Sequence, residues 1–186
     1  MSWHTEIAEA LAAAPYAASY CEENAWHQLS RLPDASYWAV IVSNTGRCIP
    51  YFAQRSAAVG DPVFWDYHVW LLAEHEDELY ALDLDSRLPT PTPLTLYLDA
   101  SFPEYPTWPK AYWPWFRPIR RDQYLAEFAS DRRHMRDGER WHAPPPPWPC
   151  IGNGHILDAW REIPGVALPG KVLTVDELIE YLTASR

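Results

Sequence analysis

The chain has 186 residues, 48% of them hydrophobic, and a formal net charge of -10. That is enough for one domain with a core, taken as residues 1–186, and too apolar for a disordered chain. The acidic balance argues against nucleic acid or an anionic membrane as the main partner, and suits a cationic ligand such as a free α-amino group.

Met1 to Glu6 lack the basic-then-apolar pattern of a signal peptide, and no apolar run approaches the roughly 20 residues that span a bilayer. The Ala-rich stretch 5–14 is helix-prone. A second helix is expected over Glu22 to Leu32, with Ala25, Trp26, Leu29 and Leu32 on one face and Pro33 as its stop. Ser19 or Tyr20 then stands at its entrance and Cys21 in its first turn. Tyr37 to Ser43 (YWAVIVS) reads as a buried strand, Asn44 to Arg47 as a turn, and Ile49 to Gln54 as the hairpin partner. A third strand is expected over Val63 to Ala73 and a fourth over Leu79 to Leu84, joined by the polar run Glu74 to Glu78.

Residues 86–118 are rich in loop-forming types, with a helix at Leu94 to Ala100. Arg121 to Ala129 reads as a helix, with the charged cluster Asp131-Arg132-Arg133 as its solvated exit. The run Ala143 to Pro149 must be extended, and fits a rigid loop walling a cleft better than a ligand for a Pro-binding domain. Short and long helices follow near Ile156 to Ile163 and Thr174 to Thr183, the latter with Thr174 and Glu177 at capping-box spacing. The fold class is α+β: an antiparallel sheet flanked by helices, an α-β-α sandwich in which the helix bearing Cys21 precedes the sheet. The 11 Trp, 11 Tyr and 19 Pro predict large buried rings and stiff connections.

The three cysteines are odd in number and far apart, which suits a reducing cytoplasm and free thiols; none forms a CxxC pair, so no metal site is expected. Cys48 and Cys150 read as packing residues. Cys21 differs, because a helix N-terminus favours a thiolate and a matched His and Asp lie downstream. A hairpin centred at residues 75 and 76 sets His68 directly across from Asp83 on one sheet face. Alternation places Asp66 with His68, opposite Trp65 and Tyr67. A thiol, an imidazole and an orienting carboxylate are the raw material of nucleophilic acyl transfer. The residues alone leave open a peptidase, a transglutaminase or a non-catalytic reader of N-terminal residues. His4, His27, His75, His142 and His155 read as surface or loop residues.

Tyr20-Cys21-Glu22-Glu23-Asn24, Trp65-Asp66-Tyr67-His68-Val69, Asp83-Leu84-Asp85 with Leu88-Pro89, Phe128 to Arg132 with His134-Met135, and Pro144 to Pro147 with Pro149-Cys150-Ile151 together resemble the protein N-terminal glutamine amidohydrolases. The resemblance covers about residues 19 to 151, and fades between 100 and 118 and after 152. It implies a monomeric, cofactor-free, cytoplasmic enzyme with a papain/transglutaminase-like core. It would convert N-terminal Gln of proteins or peptides to Glu, a step that feeds an N-degron pathway. Cys21 is then the nucleophile, His68 the base and Asp83 its orienting carboxylate. An N-terminal residue also requires an anionic pocket for its α-ammonium, with Glu22, Glu23, Asp66, Asp85 and Asp131 as candidates and Trp65 as a wall.

Overall fold

A strand with no polar side must be covered on both faces. In the computed structural model, which describes residues 2–163 and 171–184, Tyr37–Ser43 is such a strand, β1, buried at every position. It lies inside a five-stranded antiparallel sheet in which β4 (Tyr67–His75) and β7 (Trp115–Arg120) flank β1. On the far side of β4 come β5 (Glu78–Leu82) and the short β6 (Thr92–Pro93).

Two apolar layers sandwich the sheet. On one face, Ala39, Ile41, Val69 and Leu71 meet Ile7 and Leu11 of α1 (Trp3–Ala13) and Ala25 and Leu29 of α2 (Cys21–Leu29). Tyr124 of α4 (Arg121–Glu127) and Trp160 of α5 (Leu157–Trp160) complete that layer. On the other face, Val40, Val42, Trp70 and Leu72 meet Tyr97 and Leu98 of α3 (Leu94–Ser101), and Leu178 and Leu182 of α6 (Val175–Ala184). The α6 start is the expected capping box: Thr174 N–H donates to Glu177 Oε2 at 2.8 Å and Glu177 N–H to Thr174 Oγ1 at 3.3 Å. Among the described residues no helix is long and apolar enough to cross a membrane.

Four expectations are corrected. The segment after the turn does not pair with β1, whose two edges belong to β4 and β7. The Asn44 side chain brackets Cys48, accepting its N–H and donating to its carbonyl at 2.9 Å each, and turns the chain away. β2 (Ile49–Tyr51) pairs instead with β3 (Val63–Trp65) in a separate two-stranded sheet. Second, the strand expected over Val63 to Ala73 is broken at Asp66 into β3 and β4. Third, β7 begins inside the 86–118 region read largely as loop and runs two residues past it. Phe116 exchanges backbone hydrogen bonds with Leu173 on the outer edge, and Pro118, two residues on, keeps its missing N–H on that same side, where the ladder with β1 loses nothing. Fourth, Cys150 is exposed rather than packed.

Gly152 closes the loop that carries Ile151 to Ser130. Its φ is +65°, and a Cβ there would lie 2.7 Å from the Phe128 carbonyl oxygen and 2.9 Å from the Ala129 Cβ. Gly152→Ala combines a left-handed alanine with overpacking against backbone and should cost about 3 kcal/mol. A thermal melt should fall by about 6–12 °C; an unchanged melting temperature would show that the loop relaxes freely.

Candidate active site

α2 begins abruptly at Cys21. Ser19 is left-handed (φ 67°), Tyr20 is the N-cap without a side-chain cap bond, and the Asn24 amide bonds both N–H and carbonyl of Ala17 at 2.8 Å. This local lock holds Cys21 in the first helical turn. α2 packs on β4, so the thiol faces the start of the strand that carries His68. Cys21, His68, Trp65, Asp66, Asp85 and His134 line one cleft of about 290 Å³, and His142 and Ala143 at the entrance of the Pro run form part of its wall.

The break at Asp66 alters the expected facing. Trp65 is not opposite His68: the two rings stack at 6.0 Å and 15° inside the cleft. The β4–β5 register pairs Leu71 with Leu82, which continued would set Asp83 across from Trp70. The turn therefore sits one residue later than expected, and His68 and Asp83 are diagonal rather than direct neighbours. They meet nonetheless, His68 Nε2 lying 3.1 Å from Asp83 Oδ1.

Asp83 is buried and fully engaged. Oδ1 also accepts the Asp85 N–H at 2.9 Å, while Oδ2 accepts from Tyr97 Oη at 2.8 Å and Gln54 Nε2 at 3.2 Å. Burial alone would raise its pKa, but His68, Tyr97 and the Asp85 N–H hold it below the usual carboxylate value. For His68 burial works downward, and the charge and hydrogen bond of Asp83 overcome it, so the imidazole is more basic than usual. His68, Asp83 and Asp85 have potential ligand atoms within 4.8 Å of one another, yet the lone pairs of Asp83 are turned to four separate hydrogen donors. The donor set is arranged for holding protons rather than for sharing a cation.

The expected thiolate is corrected as well. Burial pushes the Cys21 thiol well above its ordinary pKa, and Glu22 and Asp85 push it further, against one favourable contact from the Val69 backbone N–H. The helix start does not outweigh two nearby carboxylates in a poorly solvated place.

The other candidates separate. Glu22 and Glu23 are fully buried behind the cleft. Glu22 Oε2 lies 3.7 Å from Cys21 Sγ and accepts from Tyr67 Oη at 2.9 Å. Glu23 is held by Arg132 through two 2.8 Å bonds, so Arg132 is an interior residue and not a solvated helix exit. Asp66 is half-exposed and takes Arg161 Nη1 at 3.2 Å. Asp85 accepts from Tyr16 Oη. Asp131 lies outside the cleft lining and is bound by Arg133, which lowers its pKa to about 2. His155, in a loop, has its side chain buried between Asp131 and Asp158. Gln54, Tyr97 and the interior His134 had no local signal: the first two lie 29 and 14 residues from the Asp83 they contact.

A cysteine at a helix start beside a His–Asp pair suits acyl transfer on several substrates, and comparison with known proteins narrows the field. The family described as N-terminal glutamine amidase matches residues 16–182, a span that includes every wall of this cleft. The protein N-terminal glutamine amidohydrolase of Danio rerio is 40% identical over 144 residues, covering 73% of this chain and 71% of the relative. Those of Homo sapiens (38% over 147 residues; 75% and 72% covered) and Drosophila mojavensis (37% over 183; 91% and 89%) are similar. With its Cys, His and Asp motifs and most of its length inside the match, the chain belongs to the N-terminal glutamine amidase family.

Proposed function

We propose that this protein hydrolyses the side-chain amide of an N-terminal Gln to Glu, releasing ammonia, with Cys21 as nucleophile, His68 as general base and acid, and Asp83 as the group orienting His68. The observation that carries the reading is that His68, held by the buried Asp83 at 3.1 Å, lines the same cleft as Cys21. With Nε2 given to Asp83, Nδ1 is the nitrogen for the thiol proton. The Cys21 sulfur attacks the Gln side-chain carbonyl carbon as Nδ1 takes its proton. The first-turn N–H groups of α2, which no side chain caps, are natural donors to the oxyanion. The imidazolium returns its proton to the departing nitrogen, the C–N bond breaks, and ammonia leaves a thioester. Water, deprotonated by neutral His68, then cleaves the C–S bond to give Glu and the thiol.

The reading extends to one catalytic domain over residues 1–186, with a papain/transglutaminase-like core, acting as a cytoplasmic monomer. The α-ammonium of the substrate sits against Asp85 and Asp66, whose side chains reach the cleft, with Trp65 as its wall. Glu23 is fully buried and Asp131 lies outside the cleft lining, which leaves neither for a ligand there. An Asn side chain is one methylene shorter and falls over 1 Å short of the sulfur, and about 1 Å of misplacement can cost a hundredfold.

Ammonia release from peptides with N-terminal Gln, N-terminal Asn, N-acetylated Gln and internal Gln tests the reading. Only the first should turn over, with the others at least about 100-fold slower. Equal turnover of the acetylated or internal Gln would overturn it, as would peptide cleavage in place of ammonia release.

A further inference from the structure

His134 is a buried cleft residue to which the catalytic reading gives no role. It lies in the turn Arg133–Met135, its side chain only 3% exposed, and it forms part of the cleft wall. Nε2 stands 3.2 Å from Glu22 Oε1 and 3.1 Å from Tyr67 Oη. Tyr67 has already given its single proton to Glu22 Oε2 at 2.9 Å. A bare lone pair on Nε2 would then face a carboxylate oxygen and a phenol oxygen with no proton between them. Nε2 therefore carries the proton in the neutral ring, and Nδ1 is left as an acceptor. That Nδ1 is buried and has no hydrogen-bond partner, and an unpartnered acceptor in a cleft wall is an expensive thing to bury.

The surroundings define what would satisfy it. The lining facing His134 consists of Cys21, His68, Asp66, Asp85, His142 and neutral groups, and among the described residues it contains no Lys or Arg. Behind the ring lie Glu22 and, at 5.3 Å, the His155 ring, which is set between Asp131 and Asp158. Glu22 lies beside both sites, since its Oε2 is 3.7 Å from Cys21 Sγ while its Oε1 is 3.2 Å from His134 Nε2 without a hydrogen bond between them. In an N-terminal Gln the ammonium nitrogen lies at most about 5 Å from the side-chain carbonyl carbon, a span of four bonds near 1.5 Å each. A Gln placed for attack by Cys21 thus carries its ammonium within a few ångströms of this wall.

We propose that His134 Nδ1 accepts one N–H of the substrate's α-ammonium, with Tyr67, whose own proton goes to Glu22, accepting the Nε2 N–H and so fixing the tautomer that makes Nδ1 an acceptor. This deepens the reading above and rests on it. An ammonium has three N–H donors; Asp85 and Asp66 serve two, and His134 supplies the third acceptor without adding another carboxylate beside the thiol. Tyr67 thereby orients a binding imidazole in the same cleft in which Asp83 orients His68.

The test uses two unreactive probes, L-norleucinamide and its des-amino counterpart hexanamide, with affinities measured by calorimetry on the full chain. The wild type should prefer the amine by about 100-fold. His134→Gln keeps a polar atom near the Nε2 position toward Glu22 and lacks Nδ1; it should lower that preference by about tenfold or more with hexanamide unchanged. His134→Asn keeps an oxygen near the Nδ1 position and should hold the preference within about threefold. A structural role of His134 in holding Glu22 would reverse the order, with Gln tolerated and Asn not, and would overturn the proposal. An unchanged preference in His134→Gln, or equal loss of both probes in both variants, would overturn it too. Wild-type turnover of N-terminal Gln peptides is scored separately, so failure of the proposed reaction is distinguishable from failure of this contact.

Discussion

Replacing Cys21 by alanine should abolish ammonia release from an N-terminal Gln peptide, lowering kcat/KM by about 10,000-fold or more. In the proposed mechanism the sulfur is the atom that forms and breaks the covalent bond to the substrate. The fold should survive, because alanine is a better helix former than cysteine at a first-turn position and loses only a small buried group. Peptide binding should therefore persist in the variant, and retention of more than a tenth of wild-type turnover would sink the assignment of the nucleophile.

The wild-type pH profile carries a second consequence of the same charges. His68 must be neutral to accept the thiol proton, and Asp83 raises its pKa above the usual value near 6.5. Protonation at lower pH removes the base, so kcat/KM should climb with pH through an apparent pKa above about 6.5. An acid limb lying below that value would contradict the His68–Asp83 arrangement.

The largest stability effect is expected at Arg132. Its guanidinium holds the fully buried Glu23 by two 2.8 Å bonds and donates to the Trp148 carbonyl at 2.9 Å. Trp148 Nε1 adds a 2.6 Å bond to the same carboxylate. This cluster ties α2, and with it Cys21, to the Pro-rich segment whose entrance walls the cleft. Arg132→Ala leaves Glu23 charged, buried and nearly unpaired, and removing one member of such a pair typically costs about 3–5 kcal/mol. Thermal melts should fall by about 6–20 °C. Converting both partners, Glu23→Gln with Arg132→Met, should cost less than the sum of the single changes, because no bare charge remains. A melting temperature within about 2 °C of wild type for Arg132→Ala would show that water replaces the guanidinium.

Much of the scaffold was legible in short stretches of chain. The run YWAVIVS predicts β1 with the bounds it has, the Thr174–Glu177 spacing predicts the start of α6, and Leu94 and Arg121 mark helix starts within a residue. Cys21 in a first turn was equally readable. These features depend on side-chain periodicity and on capping contacts three or four residues apart, so the local sequence determined them.

The rest belongs to the tertiary structure. Whether Ile49–Tyr51 pairs with β1 depends on which strands already occupy its edges, and the proline-containing β7 exists because an outer edge tolerates a missing N–H. The His68–Asp83 contact survives a register one turn position away from the symmetric one, because diagonal side chains on a twisted sheet still reach each other. The chemical character of the site was decided there as well. Glu22 and Glu23 read as candidates for an α-ammonium pocket and Arg132 as part of a solvated helix exit, until burial sets Glu23 against Arg132 and Glu22 against Tyr67; the Cys21 thiol becomes less acidic rather than more because desolvation and two carboxylates outweigh one helix start. The sequence by itself thus pointed to Cys21, His68 and Asp83, but not to the Gln54, Tyr97 and His134 side chains around them. Their protonation and partners were decided by the low-dielectric, long-range contacts that only the folded chain creates.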